Sequence, residues 1–354
     1  MTDIIFIFSK NLFSLPAAMT FKSISVRYAI VICLLLMGLN NKSHAQDPYF
    51  SQYFLNPIYM NPAYCGTMHV PRFGVQYRNQ WPALNKAYTT YFASFDTYLP
   101  KMKNGIGLLM YQDVQAAGTY TQSSFKVIYS KEIQLDRKWK MYGSISAGAQ
   151  MNALNFNRLV FADGLDVIYS QYWPTGETLP DNHQRVFPDF GTGILVFSDK
   201  YFFGLACDHL SKPDQSMYSD FVIKLDRKYT AHFEVNLPYH LPGHLRKFCT
   251  FNPSLIIQSQ GTEQVFTYGL YANRRSFTLG IWNRQTLKKG SDMVAMAGYV
   301  GKQLKTAISY DVNLFGQGLR SQGAVEVSIS FLLKDPGAKS VFPYYEIPGE
   351  WEIR

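Results

Sequence analysis

Lys138–Asn152 reads KWKMYGSISAGAQMN. Trp139, Met141, Ile145, Ala147, Ala149 and Met151 share one parity; Lys138, Lys140, Tyr142, Ser144, Ser146, Gln150 and Asn152 share the other. A period of two puts alternate side chains on opposite faces of a strand, whereas a helix would scatter them. The stretch is therefore a strand with one apolar and one polar face. The same alternation sets Phe73, Val75 and Tyr77 against Arg72, Gly74, Gln76 and Arg78. It sets Leu304, Thr306, Ile308, Tyr310 and Val312 against Lys305, Ala307, Ser309 and Asp311. It returns in Val325, Val327, Ile329, Phe331 and Leu333 against Ala324, Glu326, Ser328 and Ser330.

Working outward, the pattern predicts strands near 71–79, 88–98, 105–112, 118–130, 138–152, 189–198, 200–208, 227–236, 250–259, 263–273, 275–284, 291–300, 303–312 and 323–333. That is about fourteen, an even number, and a tilted strand of ~9–11 residues crosses a bilayer. Aromatic residues make up 16% of the chain and charged residues only 17%, against about 25% charged in a soluble domain. The expected fold is an all-β, transmembrane antiparallel β-barrel of the outer-membrane type, with apolar faces to lipid and polar faces to the lumen. A soluble sandwich or propeller is the competing architecture. Against it, Tyr77, Trp81, Tyr98, Tyr111, Tyr129, Trp139, Tyr201, Tyr229, Tyr299 and Tyr310 fall near strand ends, as interfacial girdles require.

Loop lengths agree. With both barrel ends in the periplasm, alternate connections should be short. Pro100–Asn104, Asp199, Arg274 and Gly301-Lys302 are short, and the two longest, Ala153–Pro188 and His209–Asp226, fall on the other side. Leu237–Cys249 is the exception, a long connection on the periplasmic side.

Residues 1–45 read as a leader. Lys22 and Arg27 precede the apolar run Ala29–Leu39, and Ser43-His44-Ala45 before Gln46 fits a small-x-small cleavage site. Translation could start at Met1 or Met19. The apolar run is shorter than the ~20 residues of a membrane helix, and no later run reaches 18. The division is thus 1–45 leader, 46–70 amino-terminal segment, 71–333 barrel and 334–354 carboxy-terminal tail. Removing Lys10, Lys22, Arg27, Lys42 and Asp3 with the leader takes the net charge from +9 to +6. That mild surplus, without a basic stripe, does not indicate nucleic acid.

Nothing in the pattern indicates catalysis, a cofactor or a metal. Asp163, Asp166, Glu177 and Asp181 share a long loop, but their spacing matches no calcium loop. His240 and His244 are separated by Pro242 and Gly243, which prevents the helix that would align them. Cys65, Cys207 and Cys249 are an odd set without a CxxC.

Directly behind the leader, Gln46–Thr67 reads QDPYFSQYFLNPIYMNPAYCGT. Asn56-Pro57 and Asn61-Pro62 force turn or extended geometry. Asp47, Pro48, Phe50, Ser51, Gln52, Tyr53, Asn56, Pro57, Asn61, Pro62, Ala63, Tyr64 and Gly66 resemble the amino-terminal signature of the PorP/SprF family, outer-membrane proteins of type IX secretion and gliding in the Bacteroidetes. Cys65 stands where that family has a small residue. Phe203-Gly204-Leu205, His209–Pro213, Asn252-Pro253-Ser254 and Ser309-Tyr310-Asp311 resemble further family segments. Gly323–Val327 departs from the family's G-S-H-E-I.

The resemblance implies an outer-membrane barrel that contacts periplasmic lipoprotein or ring components, or helps secrete and attach a large surface adhesin. The segment 46–70 is too apolar to stay free in water and should plug the lumen or dock a partner. Lys334–Arg354 is held extended by Pro336, Pro343 and Pro348. The candidate partner-binding residues are Tyr53, Asn56, Pro57, Asn61, Pro62 and Tyr64 in the first segment, and Phe342, Tyr344, Tyr345 and Trp351 in the tail. The other reading is a transport channel with no stable partner.

Overall fold

The computed structural model describes residues 47–333, apart from 85–87, 160, 167–170, 174, 177–182, 219–220, 241–247, 275, 288–289, 302 and 314–322. The leader, His244, Glu177, Asp181 and the tail with Phe342, Tyr344, Tyr345 and Trp351 lie outside the described residues.

Fourteen antiparallel strands form the wall. They are β1 (Arg72–Gln80), β2 (Tyr88–Leu99), β3 (Asn104–Gln115), β4 (Tyr120–Gln134), β5 (Lys140–Leu154), β6 (Gln184–Phe197) and β7 (Tyr201–Asp208), followed by β8 (Lys228–Val235), β9 (Phe248–Gln260), β10 (Glu263–Arg274), β11 (Phe277–Thr286), β12 (Gly290–Val300), β13 (Leu304–Asn313) and β14 (Ala324–Leu332). Each strand pairs with its neighbours in sequence, and β1 pairs with β14, Arg72 opposite Leu332 and Gln80 opposite Ala324. The ring is closed. Every strand predicted from parity is present.

Burial is inverted relative to a soluble protein. In β5, Tyr142, Ser144, Ser146, Gln150 and Asn152 are buried, while Ile145 is 64% exposed. In β14, Glu326, Ser328 and Ser330 are buried and Val327, Ile329 and Phe331 exposed. Strands in lipid do this: apolar side chains face hydrocarbon and the polar set faces inward. Tyr77, Tyr129, Tyr201, Tyr229, Tyr299 and Tyr310 are exposed on the outer face. Tyr98 and Tyr111 are not girdle residues. Tyr98 shares the parity of luminal Asp96 and donates to Glu132, and Tyr111 is buried beside Tyr59. Their parity, not their position along the strand, decides the face.

The near rim, where the barrel begins and ends, carries the turns after β2, β4, β6, β8, β10, β12; the far rim carries the longer connections, including 155–183 and 209–227. The expected long near-rim connection at Leu237–Cys249 is corrected. Leu237–His240 continues the β8 ladder against β9 beyond a break at Asn236, and β9 already begins at Phe248. The run was misread because Asn236 and Pro238 interrupt the alternation. The β6–β7 ladder is short, pairing only Thr192–Phe197 with Phe202–Cys207. Above it β6 is held on one side by β5, and Pro188 lies in this half-paired stretch.

A charge on the lipid face should be costly. Ile145→Arg near the middle of β5 should lower stability by ~2–4 kcal/mol, measured by urea unfolding in lipid vesicles. Trp173→Arg in the exposed far-rim connection should change it little.

Candidate functional site in the barrel lumen

The lumen is filled by the protein's own amino-terminal segment. Residues 47–70 contain no regular helix, because each Asn-Pro step starts a single 3-10 turn: Pro57–Tyr59 and Pro62–Tyr64. Asn61 caps the second turn by accepting from the Ala63 N–H at 2.9 Å. Leu55, Ile58, Ala63, Cys65 and Met68 are buried together with luminal Ile128, Leu195, Tyr271 and Trp282. The apolar half of the segment thus finds its partners inside a polar-lined barrel.

Strand glycines make room for it. A Cβ at Gly74 would overlap the Asn56 side chain, one at Gly105 the carbonyl of Cys65, and one at Gly193 or Gly204 the amide of Asn61. Glycine allows this close backbone approach. Asn61 then donates to the wall carbonyls of Ile194 and Leu205 at 3.1 and 3.3 Å.

Charged groups fasten the segment at three levels. In the upper middle, Glu326 accepts from the Ser51 and Gln52 backbone N–H groups at 2.8 and 2.7 Å and from Arg78 at 2.9 Å. The Ser51 hydroxyl donates to Asp311 at 2.8 Å and accepts from Arg78 and Arg284. Two carboxylates and two guanidiniums therefore surround one serine, with Asp311 paired to both arginines. Below, the Tyr53 hydroxyl meets Ser254 at 2.6 Å and accepts from Trp282 at 2.9 Å. Near the near rim, the Gly66 N–H donates to Asp96 at 2.8 Å, and Asp96 also holds Arg72 at 2.7 Å. His69 lies 3.2 Å from Glu132, which also receives the Tyr142 hydroxyl.

The third level is at the far rim. Asp47 faces His209 at 2.9 Å and Lys228 at 3.5 Å. The other ring nitrogen of His209 faces Asp189 at 2.9 Å, and Lys126 bridges Asp189 and Asp208. A neutral imidazole has one N–H to give, yet both nitrogens here face carboxylates. Burial alone would favour neutral His209, but Asp47 and Asp189 outweigh it and raise its pKa to about 9.

All six amino-terminal candidates, Tyr53, Asn56, Pro57, Asn61, Pro62 and Tyr64, are buried by the barrel wall. Their contacts are intramolecular. Sequence reading did not single out Arg78, Lys126, Asp189, His209 or Arg284 as holding the segment. The available signal was a charge on the luminal parity of a membrane strand, which lipid-facing positions cannot carry. Asp163 accepts from the Thr175 hydroxyl and the Gly176 N–H within its own exposed loop, a turn contact.

A family model for the type IX secretion system membrane protein PorP/SprF matches residues 42–331. The chain belongs to the PorP/SprF family. No curated protein matches it. Solved barrels share little sequence with it. The monoaromatic hydrocarbon channel CymD is 11% identical, with 79% of this chain and 93% of that one covered and a TM-score of 0.45. The toluene transporter TbuX from Ralstonia pickettii is 9% identical over 79% and 93%, with a TM-score of 0.41. The KdgM porin is 9% identical over 74% and 99%, with a TM-score of 0.34.

In this PorP/SprF-family barrel, Glu326→Gln should cost ~3–5 kcal/mol, because Arg78 loses a buried partner. Urea unfolding measures the loss, and chymotrypsin should cleave within 47–70, which the native barrel protects. The His209 contribution has a definite pH sign. Its folded pKa lies above the unfolded value, so the stabilisation is complete below about 6.5 and is lost as pH rises through about 9. Chymotrypsin cleavage of 47–70 should therefore increase between about pH 6.5 and about pH 9. His209→Gln, which cannot carry the charge, should flatten that profile.

Proposed function

We propose that this chain is a closed outer-membrane barrel of the type IX secretion apparatus, working as an anchor and assembly partner rather than as an open conduit. The single observation that carries this reading is the luminal segment, which is fastened to the wall at both rims and between them. Two cavities beside it, lined by Asp47, Tyr59 and Lys228 and by Phe50, Tyr53 and Met60, are each about 20 Å³. That is about the space of one water. A barrel filled in this way suits holding better than conducting.

Family membership supports contact with components of the secretion apparatus. In this reading, periplasmic lipoprotein or ring components, or a large surface adhesin, are the partners. Since Tyr53, Asn56, Pro57, Asn61, Pro62 and Tyr64 are engaged by the barrel itself, docking is assigned to Phe342, Tyr344, Tyr345 and Trp351 in the tail. Aromatic anchors spaced by prolines give buried contact at low ordering cost. The chain is given no catalytic step, no cofactor and no metal.

Two measurements test the reading. The purified protein in planar bilayers should pass no steady current; a stable open conductance would favour the channel reading instead. Truncation after Lys334 should abolish recovery of the crosslinked periplasmic partner while the barrel still inserts. Undiminished recovery would remove the tail's role.

A further inference from the structure

One small residue interrupts the outer wall. Arg227, just ahead of β8, and Tyr229, Ala231 and Phe233 within it share the lipid-facing parity. Ala231 stands opposite Leu205 of β7 and Ile257 of β9. Both neighbours are exposed and several carbons longer, so a furrow opens over the alanine methyl. On the near-rim side it is closed by Phe233 stacked on Phe203, with ring centroids 4.7 Å apart. Ile194 of β6, opposite Leu205, continues it across the wall. Its floor is backbone: Gly204 has no side chain, and the His232 ring turns into the lumen to stack on Tyr64. The furrow measures about 360 Å³, against about 20 Å³ for each cavity beside the luminal segment.

Its position and lining decide what fills it. Exposed Tyr229 lies toward the far rim and exposed Tyr201 toward the near one. Such tyrosines bracket the hydrocarbon band, so the furrow between them meets lipid, not water. Aliphatic and aromatic side chains line it. A peptide lying there would leave backbone donors and acceptors unmet, which hydrocarbon does not tolerate. An acyl chain has none to satisfy. A lipid chain standing along the membrane normal crosses several tilted strands, and this furrow spans β6 to β9, about 14 Å across three strand spacings. Walls on both sides give the chain contacts that a flat wall gives on one side only. Above the furrow, the Arg227 Nε donates to the Leu210 carbonyl at 3.0 Å, which fixes its guanidinium at the far rim. The carboxylates of the same connection, Asp214 and Asp226, pair with Arg185 and Lys212 instead. A guanidinium grips phosphate through parallel N–H bonds. From Arg227 to Ala231 is about 13 Å along the strand and about 9 Å in depth after tilt, within the ~15 Å of hydrocarbon in one leaflet.

We propose that the furrow over Ala231 is a lipid site: one acyl chain lies in it, and the phosphate of the same lipid is held by Arg227. Since the rim with longer loops faces the exterior, the ligand is an anionic, phosphate-bearing lipid of the outer leaflet. It covers the wall where the β6–β7 ladder is short, six residue pairs from Thr192 to Phe197. The proposal rests on the outer-membrane reading above and adds a resident ligand to it.

The test uses the purified protein in detergent, mixed with dipalmitoyl phosphatidylglycerol or with zwitterionic dipalmitoyl phosphatidylcholine and read by native mass spectrometry. One phosphatidylglycerol per barrel should survive removal of the detergent. Ala231→Leu, which fills the furrow with another apolar side chain, should lower retention of both lipids about 10-fold. Ala231→Val should give a smaller loss, and Ala147→Leu on the outer face of β5 none. Arg227→Gln should lower phosphatidylglycerol retention about 10-fold while phosphatidylcholine retention stays as it was. Chymotrypsin protection of 47–70 should persist in all four variants, which shows the barrel intact. Retention unchanged by both Ala231 substitutions, or lost equally with Ala147→Leu, would overturn the site. Equal loss of the two lipids in Arg227→Gln would overturn the phosphate contact. A second copy or a peptide retained in place of lipid, and lost with Ala231→Leu, would overturn the choice of occupant. Planar-bilayer current and partner recovery are read separately, so failure of the lipid site and failure of the anchor reading remain distinguishable.

Discussion

The carboxylate of Glu326 is the contact on which the interior depends. It is fully buried, faces Arg78, and takes two backbone N–H groups from Ser51 and Gln52. A buried charge persists only where its hydrogen-bonding capacity is met. The wall supplies Arg78 and the Gln76 amide, and the luminal segment adds the two backbone donors. Equally, the segment's Ser51 and Gln52 would be left with unmet donors without Glu326. Neither is stable in a dry interior alone. The far-rim group has the same logic: Asp47 completes a set of three carboxylates and three cations that β4, β6, β7 and β8 only partly balance.

Outer and inner faces are governed by different solvents. Lipid fixes the outer face, so its residues are replaceable by any apolar side chain of suitable size. The inner face meets a particular peptide. Gly74, Gly105, Gly193 and Gly204 are small where Asn56, Cys65 and Asn61 press against the wall. Aromatic rings fill the wider spaces: Phe54 stacks on Tyr271 and Trp282, and Phe50, Tyr59, Phe92 and Tyr111 pack edge to face. The lumen is thus shaped to one guest, in the way a protein core is shaped to its own side chains.

The barrel was legible in the sequence because a two-residue period survives wherever one face meets lipid. All fourteen strands followed from it. It failed where a residue interrupts parity, as Asn236 and Pro238 do, and where position along a strand was weighed above parity, as for Tyr98 and Tyr111. The luminal segment was legible as apolar and turn-rich, but its contacts were not. Ser51 and Asp311 are far apart in the chain, and no local pattern announces that a serine will collect two arginines and a carboxylate. His209 was visible only as part of a recurring segment. Its role needs β6 and β7 to bring Asp189 alongside, which is a tertiary fact.

The half-paired stretch of β6 bears on how this protein lives among its neighbours. A strand edge with free donors is a template on which another chain can zip. The Phe190 carbonyl on that edge is taken by the Leu210 N–H, and two residues earlier Pro188 has no N–H to offer. In a crowded membrane, where barrels drift edge to edge, this half-stitched stretch of the wall is a place where a second copy would meet a broken ladder. Pro188 removes one donor from that edge.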